Sequence, residues 1–293
     1  MLFRTLDTLQ VTLAACVFSA ILSSCSTITI PSNEPSPSKI ALKETNECKT
    51  TPTKVLYSGG KEWNACTRDA ARLSYEYAQM ATNVYSSVGS SPFKLGPNLR
   101  PLEPLASLPS GLQYRVYERH DNGKRSEVII AYRGTNFSSW QDWIFGNIGL
   151  TQRSEALTIF DRVWRDYEIK PSITGHSLGG ALAIQVSLCR DVHYNIVFDT
   201  SSRFSKRFCG ATYENHNVSI VEFGEINKLL RVFGREPTQR YVSLNCIDEG
   251  NAFSQHSMEK LAACLTNIAA LDASDAKVSK TLNAIPDNPN KWK

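Results

Sequence analysis

Ser177 lies between two glycines in the run Ile173-Thr174-Gly175-His176-Ser177-Leu178-Gly179-Gly180-Ala181-Leu182-Ala183. The residues before it are apolar and extended in character, and those after it are rich in Ala and Leu. A strand therefore runs in and a helix runs out. G-x-S-x-G in that setting is a nucleophile elbow, a sharp strand-to-helix turn that lifts a serine hydroxyl clear of a sheet. Gly175 and Gly179 are required because a side chain at either position would hold strand and helix apart. The turn sets the Leu178 amide at a helix N-terminus, where backbone donors stabilise the oxyanion of an acyl-transfer transition state. An ordinary glycine turn would need neither the strand nor the helix. Ser177 is therefore read as a nucleophile.

A serine hydroxyl needs a base to take its proton, and the base needs a third group to fix its tautomer. In the order Ser, acid, His, the histidines after the elbow are His193, His216 and His256. His193 follows the post-elbow helix and His216 sits in a polar Asn215-His216-Asn217 loop. His256 lies beyond the last expected strand, at the start of a helix, where chemistry gathers in open parallel sheets. It is taken as the base. For the acid, Glu225 follows an expected strand at 218–223 and is preferred. Asp199 is its main rival, with Glu222 and Asp248 behind, and a surface pair between Glu225 and Arg231 is the structural alternative. His120, in His120-Asp121-Asn122-Gly123, is read as an exposed turn residue.

The second oxyanion donor is sought after an earlier strand. Val128-Ile129-Ile130-Ala131-Tyr132 leads into Arg133-Gly134-Thr135, where Thr135 offers an amide and a hydroxyl and Gly134 leaves room for substrate. These blocks, with Asp142-Trp143, Asn147 and Gly175-His176-Ser177-Leu178-Gly179-Gly180, resemble the class 3 (fungal-type) lipase family of the α/β-hydrolase superfamily. The likeness runs from about residue 64 to about residue 271. It implies an oxyanion hole of Thr135 and Leu178 and a triad of Ser177, Glu225 and His256. The family's acid is usually aspartate, so Glu225 is a departure, one methylene longer. The likeness also makes residues 138–147, with Trp140, Trp143, Ile144 and Phe145, either a lid that meets lipid or a packed loop.

The elements that must position these groups follow from periodicity. A surface-packed helix is expected over 64–85, with a Pro/Leu-rich loop over 91–110. Strands over 112–117 and 128–132 flank a hairpin turn. Helices over 154–167 and 178–189 alternate with strands at 195–198, 218–223 and 240–245, before a last helix over 255–271. That alternation predicts an α/β fold with a mainly parallel sheet covered by helices on both faces, which the resemblance makes an α/β-hydrolase fold. From Asp272 the chain reads as a loosely ordered polar tail.

The composition, 42% hydrophobic and 20% charged with a net charge of +4 over 293 residues, is that of an ordinary globular chain and gives nucleic-acid binding no support. Arg4, an apolar stretch at 11–22 and Leu22-Ser23-Ser24-Cys25 resemble a bacterial lipoprotein signal, with Cys25 acylated after cleavage. The expected division is a signal over 1–24, a lipid-anchored tether over 25–55, a hydrolase domain over 56–275 and a polar tail over 276–293. Apart from Cys16 and Cys25, the cysteines are Cys48, Cys66, Cys189, Cys209, Cys246 and Cys264. Their number in an exported chain suggests disulfides, most simply Cys48–Cys66, Cys189–Cys209 and Cys246–Cys264. No zinc spacing is present, so neither metal nor cofactor is expected.

The sequence thus reads as an exported serine carboxylic-ester hydrolase acting on lipid-like esters, a lipase or esterase in the bacterial outer membrane or cell envelope. It is expected to be a monomer held to the membrane by its N-terminal lipid. The alternatives are a phospholipase A-type hydrolase and a catalytically inactive surface-binding lipoprotein. Acyl-chain length, headgroup and positional selectivity are not legible in it.

Overall fold

A computed structural model describes residues 63–86, 90–134, 150–201, 204–211, 213, 215, 217–222, 239–244, 246 and 257–288. The expected signal and tether, Cys25 and Cys48 lie outside these residues. So do Thr135, the 138–147 segment, His216, Glu225, Arg231, Asp248 and His256.

Among the described residues the strands form one eight-stranded sheet. They are β1 (Leu99–Pro101), β2 (Ala106–Ser107), β3 (Gln113–Asp121), β4 (Lys124–Tyr132), β5 (Ser172–His176), β6 (Asn195–Phe198), β7 (Asn217–Glu222) and β8 (Gln239–Leu244). Their order is β1-β3-β4-β5-β6-β7-β8, with β2 beside β3. From β4 to β8 every pairing is parallel. The β1, β2 and β3 pairings are antiparallel, so the sheet is a mixed α/β one with a parallel body and an antiparallel flank. The cause is local: a two-residue turn can join only antiparallel neighbours. Asn122 and Gly123 make that turn, at φ 51° and 76°. His120 is not in the turn as expected. It belongs to β3, opposite Arg125 at an irregularity in the register, and sits 3.2 Å from Glu118.

Parallel neighbours need crossovers, and α2 (Leu150–Tyr167) and α3 (Leu178–Cys189) supply them on one face of the sheet. The other face carries α1 (Ala65–Asn83) and α4 (Met258–Ala269), with α5 (Ser274–Leu282) packed on α4. The period-two alternation of strands divides each strand between two cores. On β4, Val128, Ile130 and Tyr132 join the α2/α3 core, and Ile129 and Ala131 the α1/α4 core.

Helix α1 departs from expectation. It is not a surface helix but lies between the sheet and α4, with Ala70, Ala71, Ala78 and Ala81 wholly buried. Alanines at these positions let neighbours approach closely on two sides, which one amphipathic stripe does not reveal. Asn64 caps its first turn by accepting from the Thr67 amide at 2.8 Å. The amide nitrogen of Gln79, a fully buried residue, donates to Thr266 on α4 at 3.0 Å and to Ser279 on α5 at 2.9 Å, so one polar side chain ties three helices together. The chain after Asp272 is no loose tail: Ser274–Leu282 is helical, and Tyr75 of α1 donates to Asp275 at 2.9 Å.

Two disulfides join described residues, Cys189–Cys209 and Cys246–Cys264, as the local pairing expected. Cys66 is also disulfide-bonded, and Cys48 lies outside the described residues. The two bridges close loops with sequence separations of 20 and 18. Each therefore removes loop entropy from the unfolded chain worth about 3 kcal/mol. Replacing either pair by serines should lower stability by about that amount in a denaturant titration. Only loss of Cys246–Cys264, whose loop contains His256, should also lower kcat for an ester. Equal kcat losses for both pairs would show that the second bridge has no special bearing on the base.

Candidate active site

The parallel registers bring five strand ends to one edge of the sheet. Tyr132 pairs with Gly175, His176 with Phe198, Phe198 with Ile220 and Glu222 with Leu244. Gly134, Ser177, Asp199 and Cys246 all follow directly from that edge, where open parallel sheets hold their ligands. Glu225 is three residues past the end of β7, and His256 lies between β8 and α4. His193 is at the other end of the sheet. It precedes β6, its amide donates to Pro171 at 3.0 Å just before β5, and its ring stands edge-on to Tyr194. That position takes it out of reach of Ser177.

β5 is buried along its whole length, and α3 begins with no intervening residue but Ser177. Ser177 has φ 55° and ψ −116°, a conformation that non-glycine residues rarely hold. Three hydrogen bonds fix it there: its amide donates to Phe198 at 3.0 Å, and its carbonyl accepts from Ala181 and from Ser201, each at 3.1 Å. Of residues 171–180 it alone is not buried. The sequence thus delivers a hydroxyl to the surface from a wholly buried strand and helix. Leu178 is the first residue of α3, so its amide has no carbonyl to meet within the helix. Amide and hydroxyl are adjacent, as oxyanion stabilisation requires.

The glycines are explained by contact. A Cβ on Gly175 would lie 2.6 Å from the Gly179 carbonyl oxygen, and one on Gly179 would strike the Tyr132 carbonyl oxygen and lie 2.8 Å from the Arg133 carbonyl carbon. Strand β5, helix α3 and the end of β4 therefore meet backbone to backbone. A Cβ on Gly134 would lie 2.7 Å from the His176 carbonyl oxygen, so the segment leading into Thr135 passes directly over the elbow.

Asp199 and Glu222 are buried at this edge. Asp199, at φ 41°, accepts from the Glu222 amide at 2.7 Å, and Glu222 accepts from the Cys246 amide at 2.7 Å. The two carboxylates stitch the ends of β6, β7 and β8 together. No spacing in the sequence signals this. A positive φ at a non-glycine residue is its structural mark, and Asp is among the residues that tolerate it.

Tyr85, just past the end of α1, reaches the same place. Its hydroxyl accepts from the Gly134 amide at 3.0 Å and lies 3.3 Å from His176 Nδ1. The Arg133 guanidinium sits 5.4 Å from the centre of its ring. Burial holds its phenol well above the ordinary tyrosine pKa, with the Gly134 hydrogen bond and the Arg133 charge opposing that rise. Sequence reading placed Tyr85 only as the last residue of a helix. Among the described residues no cluster of three or more His, Cys, Asp or Glu side chains is arranged to hold a metal, and no helix is long and apolar enough to cross a membrane.

Compared with known families, residues 71–197 match the model of a Tle-like phospholipase domain. The match runs from within α1 to within β6. It contains Gly134 and the elbow and ends before Glu225 and His256. It supports a lipase or phospholipase kinship, broader than the class 3 likeness drawn from the motifs. No curated protein matches the chain.

Proposed function

We propose that this chain is a serine hydrolase of lipid esters with an α/β-hydrolase fold, working through an acyl-enzyme at Ser177. The observation that carries the reading is the Ser177 backbone: a strained residue, half-buried between fully buried neighbours, held where a helix N-terminus begins. Strain of this kind costs of order 1–3 kcal/mol and persists where a site uses it. His256 takes the Ser177 proton as the hydroxyl oxygen attacks the ester carbonyl, and Glu225 orients the imidazole and stabilises its cation. The Leu178 and Thr135 amides hold the oxyanion. Collapse expels the alcohol, which takes the proton from His256, and water then frees the acid by the reverse steps. Glu225 is preferred as the acid for its place in the chain, after the strand two beyond the nucleophile strand, and Asp199, buried and accepting from the Glu222 amide, is its rival.

Phospholipid is the substrate class that the family match favours, and a phospholipase A-type reaction fits the same steps. Neutral acylglycerols and short-chain esters are the competing substrates. Cys25 as a lipidated anchor in a bacterial cell envelope is part of the proposal, and bridges such as Cys189–Cys209 suit an exported chain.

The test is hydrolysis of a p-nitrophenyl ester series and of phospholipid vesicles by the full chain, with a fluorophosphonate probe to trap the nucleophile. Labelling at Ser177 with release of fatty acid from vesicles is the expected result. A folded protein that neither turns over any ester nor reacts with the probe would leave a binding lipoprotein instead.

A further inference from the structure

Gly134 is hemmed in by two groups. Its amide donates to the Tyr85 hydroxyl at 3.0 Å, and a Cβ added to it would strike that same hydroxyl and lie 2.7 Å from the His176 carbonyl oxygen. The amide of Gly134 is thus engaged with Tyr85, and in the ester-hydrolase reading above the oxyanion donor is the next amide along the chain, that of Thr135. The direction of that next amide depends on how the Gly134 backbone is held.

Tyr85 is itself referenced to the elbow. The same hydroxyl lies within hydrogen-bond reach of His176 Nδ1, 3.3 Å away. His176 is the residue before Ser177 and is 2% exposed, at the end of a strand buried throughout. A line of contacts therefore runs from the Gly134 amide through the Tyr85 hydroxyl to the ring next to the nucleophile. The Tyr85 ring is held by Arg133 on the segment it positions and by His176 edge-on, with centroids 6.1 Å apart. Burial keeps the phenol protonated over the whole range in which an esterase works.

We propose that Tyr85 is a positioning residue for the oxyanion hole: by holding the Gly134 amide and bonding to His176, it sets the second donor against Ser177. The proposal rests on the ester-hydrolase reading above. Its consequence is specific. An oxyanion exists only in the transition state, so loss of this contact lowers kcat and leaves ground-state binding alone.

Tyr85→Phe removes one oxygen and keeps the ring against Arg133 and His176. In the full chain it should lower kcat for a p-nitrophenyl ester by roughly 10- to 100-fold with KM within about 2-fold. The rate at which a fluorophosphonate labels Ser177 should fall by the same factor, because the phosphoryl oxygen occupies the oxyanion position. His176→Leu breaks the other end of the same line and should lose kcat in the same way. The double variant should be no slower than the slower single one. Unchanged kcat in either single variant, a loss that appears in KM alone, or losses that multiply in the double variant would each overturn the proposal. If Tyr85→Phe does not fold, His176→Leu decides it. A wild-type chain that neither hydrolyses esters nor labels would instead overturn the reading beneath it, before any substitution is made.

Discussion

Replacing Ser177 with glycine should yield a protein that is inactive and more stable than the parent. In the proposed mechanism the hydroxyl oxygen is the nucleophile, so activity on any ester should fall by about 10^4-fold or more. Stability should move the other way. At φ 55° and ψ −116° the serine carries a strain of order 1–3 kcal/mol that glycine does not. Against this stands the larger entropy that glycine loses on folding, about 0.5–1 kcal/mol. Strain exceeds entropy, and the net gain should be about 1 kcal/mol, or a rise in Tm of roughly 2–4 °C for a chain of this size. Ser177→Ala is the necessary comparison: equally inactive, it keeps the Cβ and the strain and should melt below Ser177→Gly. Thermal melts of the three proteins decide the matter. If alanine and glycine melt together, the elbow stores no strain and the main structural argument for a working nucleophile fails.

Gly179→Ala should damage both fold and rate, although it places a better helix former in a helix. Alanine favours a helical position over glycine by about 1 kcal/mol. The added Cβ, however, meets the Tyr132 carbonyl oxygen and lies 2.8 Å from the Arg133 carbonyl carbon, both backbone atoms that cannot rotate aside. Overpacking of this kind costs typically 1–3 kcal/mol even where side chains can yield. With backbone on both sides the cost lies at the upper end of that range, and the net loss should be about 2 kcal/mol. The only relief is for the end of β4 to retreat from α3, which carries Gly134 and Thr135 away from Ser177. A misplacement of about 1 Å there is enough for a 100-fold loss in kcat. Gly180→Ala provides the contrast. Its Cβ meets Cγ2 of Thr200, a side-chain methyl, so Thr200→Ser should recover much of the lost stability there. No such second change should rescue Gly179→Ala. A stable, active Gly179→Ala protein would mean that β4 and α3 do not approach as closely as the glycine implies.

The strand, turn and helix around Ser177 were readable because their signals are local. The bounds expected for α3 and β6, 178–189 and 195–198, agree with those observed. An apolar run that starts at an elbow, and another that follows a turn, need no tertiary context. β1 and β2 escaped notice inside an apparent loop, because strands of 3 and 2 residues carry no periodicity of their own. α5 was hidden by composition: Ser, Asp, Lys and Thr line it, and only Ala276 and Ser279 are buried. The position of α1 was missed because alanines on several faces read as neutral, whereas in three dimensions they permit contact on several sides. Tyr85 entered only as the last residue of an expected helix. Its role depends on Gly134 and His176, far from it in sequence, and no pattern within a helix can announce that. Asp199 and Glu222 are similar. Carboxylates after strands suggested candidate acids, and their engagement with neighbouring amides became visible only once the strands were side by side.

The placement of α1 has a consequence for the order in which the molecule comes into being. Strands β3 to β6 and helices α2 and α3 are neighbours in sequence as well as in space, so they can assemble as they leave the ribosome. α1 is synthesised before all of them, yet Gln79 bonds to Ser279, 200 residues later. At about 5–20 residues per second, that interval is on the order of 10–40 s. For that time the helix that ends beside Tyr85 has only the sheet to lean on. Ser177 is built early, and the helix that leads to Tyr85 is locked late. A nascent chain cut short before α4 would carry the elbow without the helices that close over α1.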